Sequence, residues 1–251
     1  MIERWRDARP TWASWLRVTS HLGRLPRPRD LEPRARRAAV FAAIHARNRW
    51  GDPESRSGGG ANLRAARTVL EVLPALVTEL SVRTLLDVPC GDLHWMSRID
   101  LPVESYVGAD IVPALIAENE RQHGGGRRRF VVLDLTTDPL PRADLVLCRD
   151  GLPHLSHADV RAALANLGAS GARWLLTTTY SGDHRRNPDI VSGDWRPIDL
   201  EKPPFALPPP ARWWPEPLGE PGYEDKRLGL WPIDALARSL SGIALRTPTS
   251  S

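Results

Sequence analysis

Three short apolar runs in this chain each end on an acidic residue: Leu85-Leu86-Asp87, Gly108-Ala109-Asp110 and Val131-Val132-Leu133-Asp134. The first breaks at once into a turn, Val88-Pro89-Cys90-Gly91-Asp92, whose one glycine is Gly91. Short apolar runs bounded by turn residues read as buried strands, and strands that alternate with helical patterns build a parallel sheet covered on both faces. In such a sheet ligands sit at the carboxyl ends of the strands, beside the point where strand order reverses. The expected fold is therefore α/β and Rossmann-like, with three carboxylates gathered at one edge.

The rest of the chain fills in around that pattern. Helical spacing begins near Ala38 and runs through Phe41, Ile44 and His45, then stops at Asn48-Arg49-Trp50-Gly51 and a polar loop ending Gly58-Gly59-Gly60. Leu63, Ala66, Val69, Leu70, Leu73, Leu76, Val77 and Leu80 then recur at helical spacing, predicting a helix that packs on the sheet. Strands are predicted near Thr84–Val88, Tyr106–Asp110, Phe130–Leu133, Asp144–Cys148 and Trp174–Thr179. Helices are predicted from about Leu93, from Pro113, and from a capping box at Ser156-His157-Ala158-Asp159 to near Gly168. Beyond Tyr180 the chain turns proline-rich, with a run Pro203-Pro204-Phe205-Ala206-Leu207-Pro208-Pro209-Pro210 that reads as an ordered loop or edge strand. A helix over Ile233–Leu240 and a strand near Ile243–Arg246 are the remaining elements expected there. These readings divide the chain into an arm and glycine-rich lid loop over 1–60, a core over 61–180 and a C-terminal substrate-facing region over 181–251 that completes the sheet.

Composition narrows the function classes. Apolar runs stay far below the roughly 20 residues a membrane helix needs. The N-terminus, with Arg4, Asp7 and Arg9 among tryptophans, lacks the features of a secretory signal. A cytoplasmic protein is expected, with no membrane partner. Cys90 and Cys148 are the only cysteines, which supports neither a disulfide scaffold nor a cysteine metal site. The formal charge is +4, and of 34 basic residues only Lys202 and Lys226 are lysines. Such a bias toward arginine is weak evidence for nucleic acid, even with Arg24–Arg37 and Arg127-Arg128-Arg129. The tryptophan- and arginine-rich arm over 1–38 reads as a solvated face, a flap over the site or a surface that pairs two copies of the chain.

Asp110, at the end of the second strand, offers two carboxylate oxygens to the hydroxyls of a ribose. Asp134 is similarly placed for an adenine amino group. A dinucleotide fold would need G-x-G-x-x-G so that pyrophosphate lies on a helix N-terminus. Here the turn reads Asp87-x-Pro89-x-Gly91-x-Leu93, with one glycine at those spacings. Gly91 lets the backbone approach a ligand closely, and the amides of a helix after it would face a carboxylate. At the fourth strand exit stand Cys148-Arg149-Asp150 and His154, candidates for orienting a second ligand or taking a proton from it. Asp150 as a turn cap, His154 as a packed histidine and Asp87 as a brace for the turn are the plainer alternatives.

With Asp87 to Asp92 followed by Trp95-Met96, an upstream W-G-x-x-E-S-x-S-G over Trp50 to Gly58 and a downstream Cys148-Arg149-Asp150 with His154-Leu155-Ser156, the chain resembles class I S-adenosylmethionine-dependent methyltransferases. The resemblance covers Asn62 to Tyr180 for the superfamily, and Ala38 to Trp231 for a group that shares the D-x-P-C-G-D turn. Pro89 and Leu93 stand where the superfamily has glycines.

It implies a Rossmann-like methyltransferase fold with a helical N-terminal extension and a proline-rich C-terminal substrate region. The cofactor implied is S-adenosylmethionine, lined by Trp50, Ser57, Asp87, Pro89, Gly91, Asp110, Ile111, Asp134, Leu135 and Arg149. Asp150 and His154 are the catalytic candidates, and Glu54, Asp183, His184, Asn187 and Trp195 the substrate candidates; no metal is expected. The expected acceptor is oxygen or nitrogen on a polar small molecule such as a sugar, an amino acid or a natural-product intermediate. An RNA methyltransferase and a non-catalytic cofactor-binding scaffold are the two alternatives.

Overall fold

The computed structural model describes residues 31–218, 221–236 and 238. The arm around Trp5, Trp12 and Trp15, the Arg24–Arg29 stretch and the strand expected near Ile243 lie outside these residues. Residues 233–236 are helical, and most of the remainder of the helix expected there lies outside as well.

Among the described residues, seven strands form one sheet: β1 (Thr84–Asp87), β2 (Ser105–Asp110), β3 (Arg128–Val132), β4 (Leu145–Cys148), β5 (Trp174–Tyr180), β6 (Arg212–Pro215) and β7 (Lys226–Pro232). Their order is β3-β2-β1-β4-β5-β7-β6. The first five pair in parallel, whereas β7 runs antiparallel to both β5 and β6. Strand order therefore reverses between β1 and β4. Among the described residues the sheet is accompanied by the helices α1 (Pro33–Ala46), α2 (Arg67–Glu79), α3 (Pro113–His123) and α4 (His157–Ala169), besides the helical turn at 233–236. Both α1 and α3 carry proline in the first turn, where no amide hydrogen bond is lost. Ser156 caps α4 by accepting from the Asp159 amide.

Side chains alternate across the sheet with the period of two that strands impose. Leu86, Val146, Leu175 and Trp231 face one core with α4, while Leu85, Leu145, Leu147 and Leu176 face the other with α2. Leu73 and Leu76 of α2 are almost fully buried, each worth about 1.5–3 kcal/mol relative to exposure. The proline run is an ordered loop that tucks Phe205 and Leu207 into the first core, and its Pro208 carbonyl accepts the Trp231 indole N–H at 2.7 Å. None of the described helices is long and apolar enough to cross a membrane.

One expected element does not form. The helix predicted from about Leu93 is replaced by a single 3-10 turn over Met96–Arg98. Leu93 itself sits at φ +53°, outside the right-handed helical region, and Asp92 before it is tied to the Asp52–Gly60 loop. No row of helix N-terminal amides therefore faces the turn at Gly91. The strands β6 and β7 were not legible as strands, and they complete the far side of the sheet.

Candidate functional site

A cavity of about 1070 Å³, counted with its open mouth, lies over the carboxyl ends of β1 to β4. Its floor comes from the strand exits: the Val88–Asp92 turn after β1, Asp110–Val112 after β2, Leu133–Thr136 after β3 and Arg149–Gly151 after β4. Its roof comes from α1, through Arg37, Phe41 and His45, and from the loop carrying Trp50, Arg56 and Ser57.

The loop is fastened to the β1 turn. Asp92 accepts the Ser55 hydroxyl at 2.8 Å and the Arg56 amide at 2.9 Å, and the Asp92 amide donates to Ser57 Oγ at 2.9 Å. Gly91 explains the closeness. It holds φ +56°, and a Cβ there would lie 2.5 Å from Ser57 Oγ. Trp50 stacks obliquely on His154, with ring centroids 4.6 Å apart, so the loop reaches the β4 exit as well.

Asp110 is buried and faces the cavity. Its two oxygens accept the Gly91 amide at 3.3 Å and the Val112 amide at 3.1 Å, one each. A carboxylate has roughly four lone-pair positions, so each oxygen keeps acceptor capacity beyond its backbone bond. Burial pushes its pKa up to about 6, partly offset by those amides.

Asp134 is more heavily committed. Its Oδ1 accepts both the amide and the hydroxyl of Thr136, and Oδ2 accepts Arg37 Nε at 2.9 Å. Arg37 also pairs with Asp159 at 2.9 Å, which fixes α1 over the β3 end of the cavity.

Asp87 does not line the cavity. It is buried behind the turn, where one carboxylate oxygen accepts the Tyr106 hydroxyl at 2.7 Å, and burial pushes its pKa up to about 7. Its observed contact braces β1 against β2, through a phenol rather than through backbone amides.

At the β4 exit, Asp150 adopts φ +56° and is held from both sides. Its Oδ1 accepts the Thr178 hydroxyl at 3.0 Å, and its Oδ2 accepts Lys226 Nζ at 2.9 Å. Burial alone would raise its pKa, but the Lys226 and Arg149 charges outweigh it and hold the carboxyl well below the usual range. Such a carboxylate is a poor proton acceptor and a good fixed charge. His154 Nδ1 lies 3.0 Å from the Asp194 carbonyl, which can only accept, so Nδ1 carries the proton and Nε2 the lone pair. Burial lowers its pKa to about 4, leaving the ring neutral near pH 7.

The cavity thus gathers Trp50, Ser57, Pro89, Gly91, Asp110, Ile111, Asp134, Leu135, Arg149, Asp150 and His154. Glu54, Asp183, His184, Asn187 and Trp195 lie outside its wall. Glu54 accepts the Leu63 amide at 3.2 Å. Asn187 is consumed by its own loop, donating to the Asp199 and Pro203 carbonyls and accepting the Asp199 amide. Asp183 and His184 are exposed, and Trp195 packs edge-on against Tyr180 and Tyr223.

Sequence reasoning passed over Arg37, Asp92, Glu216 and Lys226 as site residues. Two of them carried a visible signal, Asp92 as the last acid of the D-x-P-C-G-D turn and Lys226 as one of two lysines in an arginine-rich chain. Among the described residues, no group of three or more His, Cys, Asp or Glu side chains could hold a metal ion.

The 3-2-1-4-5-7-6 sheet, parallel except for β7, with a cavity over the switch point, is a Rossmann-like fold of the kind found in solved methyltransferases. Solved structures agree on that fold. The chain is similar to magnesium protoporphyrin IX methyltransferase from Synechocystis PCC 6803 with bound SAM, at a TM-score of 0.54 and 14% identity over 80% of this chain and 96% of that one. It is also similar to the methyltransferase domain of a bacterial Hen1, at a TM-score of 0.50 and 14% identity over 68% of this chain and 100% of that one. No family model matches the sequence, and no curated protein does.

Proposed function

We propose that this chain is an S-adenosylmethionine-dependent methyltransferase whose donor occupies the cavity over β1 to β4. The observation that carries this reading is Asp110: a buried carboxylate at a β2 exit, oriented by two backbone amides, with acceptor capacity on both oxygens for a pair of vicinal hydroxyls. Ile111 and Leu135 would flank the adenine, with Asp134 at its edge. Pro89, Gly91, Ser57 and Trp50 would enclose the amino-acid tail, and Arg149 would stand beside it. When bound, S-adenosylmethionine supplies a methyl group activated on a sulfonium.

The chain's own residues position and enclose. The loop fastened to Asp92 would cover part of the site, and orientation of the reactants there can supply a large part of the rate of an in-line displacement. His154, neutral and with Nε2 unprotonated, suits hydrogen bonding to an acceptor hydroxyl or amine; Asp150 suits orientation rather than proton removal. The acceptor in this reading is oxygen or nitrogen on a polar small molecule, entering past His154 from the side where Asp183, His184 and Trp195 are exposed. A cytoplasmic location and the division into lid, core and substrate region belong to the same reading. The nucleic-acid alternative draws less support from Arg127 and Arg128 than their sequence suggests. Arg127 pairs with Asp100, and Arg128 donates to the Ile99 carbonyl and lies over Tyr106.

Calorimetric titration with S-adenosylhomocysteine tests the donor assignment, and no binding at millimolar ligand would refute it. The pH dependence gives a second check. Ribose hydroxyls need the ionised form of Asp110, so affinity should be level above about pH 7 and fall as pH drops through about 6. Near that pH, binding should release protons, read as a dependence of the heat on buffer ionisation enthalpy. Asp110→Asn should flatten the profile.

A further inference from the structure

Four charged side chains meet behind the β4 exit. Arg149 Nε lies 3.0 Å from Glu216, Lys226 Nζ lies 3.0 Å from Glu216 and 2.9 Å from Asp150, and Arg149 Nη1 lies 3.4 Å from Asp150. Two cations and two anions sum to zero, but the cavity does not meet them equally. The side chains of Lys226 and Glu216 are 0% exposed and that of Arg149 is 4% exposed, while that of Asp150 is 25% exposed. Of the two members that line the cavity, Arg149 and Asp150, the carboxylate is the more exposed, so a cluster neutral in sum meets the cavity mainly through its anionic edge, with Lys226 and Glu216 behind.

That edge is rigid. Thr178 accepts the Asp150 amide at 2.9 Å and donates to its carboxylate. Gly60 of the lid loop lies so close that a Cβ there would be 2.5 Å from Asp150 Oδ2. Position along the sheet says what the edge meets. Strand exits run Asp134 on β3, Asp110 on β2, then the β1 turn and Asp150 on β4. Neighbouring strands are about 4.8 Å apart, so Asp150 stands roughly 10 Å from Asp110. A nucleoside with its ribose on Asp110 and its base toward β3 extends its 5′ substituent in that direction.

We infer that Asp150 is a fixed anion set against the sulfonium of the donor, and that it makes the site prefer the positively charged donor to the neutral thioether product. This rests on the donor assignment proposed above. Loss of the positive charge on sulfur after transfer weakens the hold at this end of the cavity and favours product release.

The test is calorimetric affinity of the full chain for S-adenosylmethionine, for sinefungin, whose amine is a cation at the same place, and for S-adenosylhomocysteine. The wild-type protein should bind both cationic ligands about tenfold more tightly than the thioether, a modest Coulombic effect for a partly exposed pair. Asp150→Asn, nearly isosteric, should bring the ratio close to one mainly by weakening the cationic ligands. Equal affinities in the wild type would overturn the inference even if the variant failed to fold, as would a ratio unchanged in folded Asp150→Asn. Failure of all three ligands to bind the wild type would instead refute the donor assignment itself.

Discussion

Asp110→Ala is expected to lower the affinity for S-adenosylhomocysteine by about a hundredfold or more. Two hydroxyls donating to an ionised acceptor contribute about 1.5–3 kcal/mol each, and each 1.4 kcal/mol is about tenfold in affinity. The Gly91 and Val112 amides would also lose the acceptor that orients the β1 and β2 turns. Asp110→Asn keeps one carbonyl oxygen and should fall between. Calorimetry near neutral pH reads the difference, and unchanged affinity in Asp110→Ala would remove the observation on which the donor assignment stands.

The second large effect concerns stability. Lys226→Met would leave Asp150 and Glu216 to share Arg149 in a largely dry setting. Removing one partner of a buried ion pair costs about 3–5 kcal/mol, and each kcal/mol lowers the melting temperature of a chain this size by about 2–4 °C. A drop of roughly 6 to 20 °C is therefore expected. Adding Glu216→Gln removes the orphaned carboxylate while keeping the Arg149–Asp150 contact, so the double variant should regain much of the loss. A Lys226→Met protein that melts like the wild type would show the cluster to be far better hydrated than its burial implies.

What could be read in advance was whatever sits close in sequence to its own consequence. The acids at Asp110 and Asp134 follow apolar runs directly, and parallel strands put their exits on one edge, so their convergence follows from pattern alone. The Ser156 cap is legible for the same reason, since cap and capped amide are three residues apart. The helix expected after Leu93 failed because two long-range bonds from Ser55 and Arg56 claim Asp92, and local spacing carries no trace of them. β6 escaped notice because Arg212-Trp213-Trp214-Pro215 is short, bordered by proline and largely exposed. β7 mixes Lys226, Arg227 and Gly229 into its apolar pattern. The carboxylate pairings of Asp150 and Glu216 join residues from β4, from the stretch after β6 and from β7, which only the folded sheet brings together.

That separation orders events during synthesis. Asp150 and Lys226 are 76 residues apart, so at about 5–20 residues per second the carboxylate leaves the ribosome roughly 4 to 15 s before its lysine. For that interval a nascent chain can hold its parallel strands but not the β5–β7 pairing that seals them. Arg149 and Asp150 then have Ala65 and Thr178 as partners but lack Glu216 and Lys226. The ion pairs behind Asp150 are consequently completed last, and a translational pause before β7 would prolong the interval in which this carboxylate lacks its lysine, without altering any residue that lines the cavity.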